Sequence, residues 1–207
     1  WFVLKKGLIS YSPAHVGAFL KSSPEIDLPD LQFVFTPASY TEGMIGKLQN
    51  IPGITCGVWQ SRPQSRGYVR ALSSHIKDAP LIQPNYLKET IDQDVLIQGV
   101  KICRDLLKTS KMKKISIKET LPGENIKTDS EILNFIKNNG ATVYHAIGSC
   151  RMGIDKDAVV DANLKLNGVE NLRVADASIM PTMPSGNTNA ATLMIAEKAS
   201  DLIKKDM

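Results

Sequence analysis

Tyr144-His145-Ala146-Ile147-Gly148-Ser149-Cys150-Arg151-Met152-Gly153 opens the stretch on which the reading of this sequence turns. It closes with Arg173-Val174-Ala175-Asp176-Ala177-Ser178-Ile179-Met180-Pro181 and then Pro184-Ser185-Gly186-Asn187-Thr188-Asn189-Ala190. Gly148, Gly153, Asp155 and Asp161 cut the chain into turns. Leu172 to Ala175 reads as a short apolar strand running into Asp176. From about Asn189 the pattern turns helical. Ala191, Ile195, Ala199 and Leu202 make one stripe, and Glu197, Lys198, Asp201, Lys204 and Lys205 make the opposite face. Strand, turn and helix in that order have a physical use. Small residues at a strand's end let a ligand approach the backbone. A helix start turns free N–H groups and a positive dipole end toward it. The same pattern also arises when Asn187 or Asn189 only caps the helix.

Upstream, Ser12-Pro13-Ala14 is expected to open a short helix through Phe19 and Leu20, because proline suits a first helical turn. Leu31, Phe33 and Phe35 alternate with Gln32 and Val34, which predicts a strand half-buried on one face. Ile54 to Trp59 predicts a second strand, and Tyr68 to Leu72 a third, all joined by short turns that favour antiparallel pairing. Asp92 or Asp94 is placed to cap a helix running to about Leu107. Ile115-Ser116-Ile117 reads as a short strand or an extended link. Thr128 with Glu131 has the form of a capping box, and Gly140 ends that helix in the left-handed conformation. Ala141 to Tyr144 reads as a strand leading into His145.

Composition excludes several classes. A chain of 207 residues that is 43% apolar and 22% charged is ordinary for a globular protein. A formal charge of +4 is too mild to argue for nucleic acid. The basic run at Lys108, Lys111, Lys113 and Lys114 reads as a solvated loop, with a membrane-surface or phosphate patch as the alternative. No apolar run approaches the ~18 residues of a membrane span. Cys56, Cys103 and Cys150 are odd in number and widely spaced, so neither a disulfide framework nor a zinc site is expected. Buried thiols in a reducing, cytoplasmic setting fit better. His15, His75 and His145 are also far apart, and no metal is expected.

Two side chains in the opening stretch bear on chemistry. His145 can accept a proton near neutral pH, or can be a packed and hydrogen-bonded histidine. Cys150 reads as a nucleophile candidate beside it, or as a structural thiol.

Three motifs, His145 to Gly153, Asn171 to Ser178 and Gly186 to Thr192, stand in order and are followed by Ala196-Glu197-Lys198-Ala199-Ser200-Asp201-Leu202-Ile203. Together they resemble the C-terminal signature of the glucose–methanol–choline (GMC) oxidoreductases, nearest to the choline-dehydrogenase-like branch. Weaker likeness extends over Pro29 to Gln32, Pro63 to Gly67 and Gln83 to Leu87, and so spans nearly the whole chain. Ala146 stands where the choline branch often has proline, which argues against choline itself.

The resemblance implies FAD as cofactor and a small-molecule alcohol as substrate, with the electron acceptor open. His145 matches the histidine that takes or orients the hydroxyl proton. Asn187 matches the second catalytic position, which is His or Asn across the family. Asp176 and Ala177 match positions near the FAD pyrophosphate and ribityl chain. Thr188 and Asn189 match the helix start near the flavin pyrimidine, whose negative charge on reduction suits a helix N-terminus. The implied fold is α+β. Residues 1–142 form an antiparallel-sheet substrate domain with flanking helices, and residues 143–207 form the C-terminal portion of an α/β FAD-binding domain. No G-x-G-x-x-G occurs, and the chain begins at Trp1. The expectation is therefore the C-terminal part of a longer alcohol dehydrogenase, lacking its N-terminal FAD-binding segment and by itself holding FAD poorly. An oxidase using O2 and a hydroxynitrile-lyase-like protein keeping FAD structurally are the alternatives.

Overall fold

A computed structural model describes residues 12, 14–41, 47–115 and 118–206. The fold is mixed α and β, as expected. Contacts divide the chain into two compact units. One comprises residues 1–61 and 87–141, the other residues 62–86 and 142–207. Residues 62–86, counted by the sequence reading with the first part, thus pack with the second.

In the first unit β1 (Val16–Leu20), β2 (Leu31–Thr36) and β3 (Thr55–Gln60) form an antiparallel sheet in that order. Leu20 faces Leu31, and Leu31 faces Gln60 on the other side. The expected helix through Phe19 and Leu20 is therefore wrong. Proline before Val16 is a weak local cue, and pairing of five successive residues with β2 overrides it. Leu31 and Phe33 are wholly buried and anchor a core with Val95 and Cys103. Gln32, on the other face, is also buried and accepts a hydrogen bond from Trp59 Nε1 at 3.0 Å, so β2 is covered on both faces.

The helix α1 (Thr90–Leu107) packs on this sheet, with Val95, Ile97, Gly99 and Cys103 buried. Its N-cap is Glu89 rather than Asp92 or Asp94, and no side chain caps it. Asp92 instead lies buried within the first turn. The Cys103 and Cys56 sulfurs lie 3.1 Å apart between α1 and β3. That contact, together with burial, pushes the Cys103 thiol up from its ordinary pKa. The helix α2 (Asp129–Asn139) carries the expected capping box. Thr128 accepts from the Glu131 N–H, and the Glu131 carboxylate accepts from the Thr128 N–H. Gly140 does not take the left-handed cap. The chain leaves in extended conformation at φ −67°. A Cβ there would still lie 2.6 Å from the Ile136 carbonyl oxygen, so glycine serves close approach rather than handedness. Ser116 and Ile117 lie outside the described residues.

In the second unit β4 (Tyr68–Arg70) and β5 (Leu81–Gln83) form a separate two-stranded ribbon. The expected third strand thus pairs with a segment read as irregular, not with the first sheet. Residues 141–144 and 172–175, both expected as strands, are not ladder-forming. Residues 142–188 contain only isolated bridges, Met152 with Val160, Val160 with Leu166, and Lys165 with Arg173. Their apolar residues pack around turns instead. Val160, Leu164, Ile179 and Met180 bury against Ile195 and Ala199 of α3 (Asn189–Lys205). The helical stripe read from the sequence is the buried face. No helix among the described residues is long and apolar enough to cross a membrane.

Candidate functional site

His145 follows Tyr144, whose φ of 62° is rare for a residue with a side chain. The Tyr144 N–H is held at 3.0 Å by the Thr142 hydroxyl. This left-handed step turns the chain where a strand was expected. Gly148, at φ 83°, makes a second left-handed step. A Cβ at Gly148 would lie 3.3 Å from the Met180 carbonyl oxygen. The chain is then clamped along the 177–180 segment. Cys150 N–H donates to the Ser178 carbonyl at 3.0 Å, and Met152 N–H to that of Ile179 at 2.8 Å. Arg151 reaches across its own turn to Asp155 through two nitrogens, at 2.5 and 2.9 Å. The Arg151 guanidinium holds the Asp155 carboxyl down at about 2.

The clamp places His145 beside the start of α3, and the two expected catalytic side chains meet. Asn187 Nδ2 lies 2.8 Å from His145 Nε2, although 42 positions separate the two residues. The other ring nitrogen, Nδ1, lies 2.9 Å from Thr188 Oγ1. The imidazole is half-buried, Asn187 is exposed and Thr188 is 8% exposed. One edge of the ring therefore faces the protein and the other faces outward. An exposed nitrogen beside a carboxamide can exchange a proton with a small molecule and hold the oxygen that released it.

Neither asparagine caps the helix. Thr188 is the N-cap, in helical conformation at φ −78° and ψ −14°, and its side chain makes no capping bond. The first turn of α3 thus receives no cap from the Thr188 side chain, and Asn189 at its start is exposed. Such a helix start suits an electron-rich ring edge or an anion. Asp176 is the N-cap of a short 3-10 turn, Ala177–Ile179, and accepts from Ser178 N–H at 2.7 Å. The Ser178 side chain and N–H hold its carboxyl below the usual carboxylate range. Asp176 is exposed and Ala177 half-buried, one turn from the segment that clamps His145.

Two features escaped the sequence reading. Thr188 touches the imidazole itself, a role that a helix-start residue does not advertise. Arg62 Nε donates to Ser185 Oγ at 2.8 Å and ties the 62–86 segment to the loop before Asn187. A separation of 123 positions left no local signal for that bond. Cys150, the nucleophile candidate, is half-buried, and among the described residues no cluster of His, Cys, Asp and Glu is arranged to hold a metal.

The GMC oxidoreductase family model matches residues 63–196. The alcohol dehydrogenase [acceptor] of Pseudomonas putida is 42% identical over 98% of this chain and 37% of its own length. The mitochondrial choline dehydrogenase of Homo sapiens is 40% identical over 91% of this chain and 32% of its own. Among solved structures, pyridoxine 4-oxidase from Mesorbium loti superposes with a TM-score of 0.82 at 30% identity, covering 91% of this chain and 37% of that one. A formate oxidase from Aspergillus oryzae, studied for its FAD modification, superposes with a TM-score of 0.76 at 26% identity, covering 86% and 32%. The chain spans about a third of the length of these proteins.

Proposed function

This chain belongs to the GMC oxidoreductase family of FAD-binding flavoproteins, and from that premise we propose that it is the C-terminal part of an alcohol dehydrogenase. The substrate is a small-molecule alcohol, oxidised at its CH–OH carbon to an aldehyde or ketone. The observation that carries the reading is the 2.8 Å approach of Asn187 to His145 Nε2 at the start of α3.

The residues present fit FAD by the chemistry of their donors. By the family resemblance, the first turn of α3, with Thr188 and Asn189, would hold the pyrimidine edge, and Asp176 and Ala177 would hold the ribityl chain and pyrophosphate. When bound, FAD supplies the acceptor, at flavin N5, for the hydride leaving the carbinol carbon. The chain's own work is on the alcohol oxygen. Expelling a hydride is easier from a carbon bearing an incipient alkoxide. His145 takes the hydroxyl proton, and Asn187 donates to the oxygen left behind, so the developing charge meets a fixed donor. The 148–153 clamp on the 177–180 segment keeps the imidazole in register with the helix start.

The test is His145→Ala in the full-length enzyme, followed by stopped-flow absorbance of the flavin under anaerobic conditions. Flavin reduction by alcohol is expected to fall by about 10²–10⁴-fold with FAD still bound. A rate within a few-fold of wild type would sink the assignment.

A further inference from the structure

We infer that Thr188 is a positioning residue that selects the tautomer of His145: its hydroxyl accepts the Nδ1 proton and leaves the Nε2 lone pair on the outward edge as the base. The inference rests on the proton-acceptor role proposed for His145 and adds the device that makes one nitrogen of the ring fit for it.

Thr188 is placed at a helix N-cap, where a threonine hydroxyl ordinarily accepts from its own helix's first turn. Here it does not, and lies 2.9 Å from His145 Nδ1 instead. At 8% exposure the residue is largely withdrawn from water, which sets its hydroxyl against the imidazole.

Two neutral tautomers satisfy the Thr188 contact, and they differ in which end of the Asn187 carboxamide must face Nε2. With the proton on Nε2, that nitrogen donates to the Asn187 carboxamide oxygen and the Thr188 hydroxyl donates to Nδ1. The basic lone pair then points at a buried hydroxyl, where no substrate can enter. With the proton on Nδ1, the ring donates to Thr188 Oγ1 and Nε2 accepts from the Asn187 amide, the arrangement in which Nδ2 stands 2.8 Å from Nε2.

Reaction separates the two. The alcohol O–H bond breaks as the Nε2–H bond forms, and the ring becomes an imidazolium with both nitrogens donating. The Asn187 N–H passes from Nε2 to the substrate oxygen. In the Nδ1–H tautomer the Thr188 contact already has the sense that the imidazolium needs, so nothing on the buried side reorganises. In the other tautomer the buried hydroxyl must reverse its bond as the proton arrives. Preorganisation of this kind favours a group whose hydrogen bonds are set before the reaction begins.

The test uses the full-length holoenzyme with Thr188→Val and Thr188→Ser. Valine keeps the shape and removes the acceptor, whereas serine keeps the acceptor. Thr188→Val is expected to lower the limiting rate of flavin reduction by about ten- to a hundredfold. FAD content and the half-saturating alcohol concentration should change little, and Thr188→Ser should restore the rate. Independently of turnover, nitrogen-15 spectra of the wild type should show the resonance lost in His145→Gln as a single Nδ1–H tautomer. An Nε2–H wild-type ring, a Thr188→Val rate equal to wild type, or a serine variant as slow as valine would each overturn the inference. If Thr188→Val fails to hold FAD, the wild-type spectrum still decides. A damaged His145→Ala beside an intact Thr188→Val would end this inference and leave the proposed function standing. An intact His145→Ala would end both.

Discussion

In the first unit, Leu31 and Phe33 are sealed between a continuous antiparallel ladder and α1. In the second, His145 and Asn187 are carried by turns, isolated bridges and backbone bonds donated from amide to carbonyl across the 148–180 region. Among the described residues, four of the five non-glycine residues at positive φ, Asn85, Tyr144, Leu164 and Asn171, belong to this second unit. Regular ladders repeat one geometry and bury apolar side chains efficiently. Irregular backbone costs more conformational strain, but it aims individual side chains where no repeating element would put them. The second unit is stabilised where the turns rest on α3 through Ile179, Met180, Ile195 and Ala199, and the proposed site lies at the start of that helix.

Substitutions divide along the same line. The largest effect is expected from His145→Ala, a loss of about 10²–10⁴-fold in flavin reduction with little change in melting temperature. A large drop in stability instead would mean that the imidazole is chiefly a packing group. Phe33→Ala should do the reverse. Emptying a wholly buried ring costs about 3–5 kcal/mol, read as an earlier denaturation midpoint, while chemistry per folded molecule is retained. Asn187→Ala comes next, with a rate loss of about a hundredfold, because it removes the exposed side chain proposed to donate to the reacting oxygen and no core contact. Equal damage to folding would erase the contrast between the units. Thr128→Ala, which breaks the capping box of α2, should cost about 1 kcal/mol in equilibrium unfolding and leave flavin reduction unchanged.

The smallest effect is expected from Asp155→Asn. Arg151 holds the Asp155 carboxyl at about 2, below its unfolded value near 4. The pair's stabilising contribution is therefore present above about pH 4 and is lost as pH falls through about 2. The carboxylate is fully exposed, so solvent screens the pair. Melting curves of wild type and variant should differ slightly at neutral pH and converge in acid. A gap that widened below pH 4 would contradict the pairing.

Much of the first unit is legible in local pattern. The alternation at Leu31, Phe33 and Phe35, the capping box at Thr128 and Glu131, and the helical stripe of α1, like that of α3 in the second unit, each depend on neighbours a few positions apart. The failures arise where a distant partner outweighs a local cue. Val16–Leu20 became a strand because β2 offered a full register to pair with. Leu172 to Ala175 did not, since only Lys165 and Arg173 form a bridge there.

From the motifs and the family resemblance they carry came the α+β class, the family and the naming of His145 and Asn187, because these depend on which residues occur and in what order. Tertiary structure alone decided that the two side chains stand 2.8 Å apart, that Thr188 spends its hydroxyl on the imidazole rather than on its own helix, and that Arg62 reaches Ser185. Each of these contacts closes a loop of dozens of residues or diverts a side chain from its local partner. Such choices are made by the packing of whole segments, which short-range propensity does not encode.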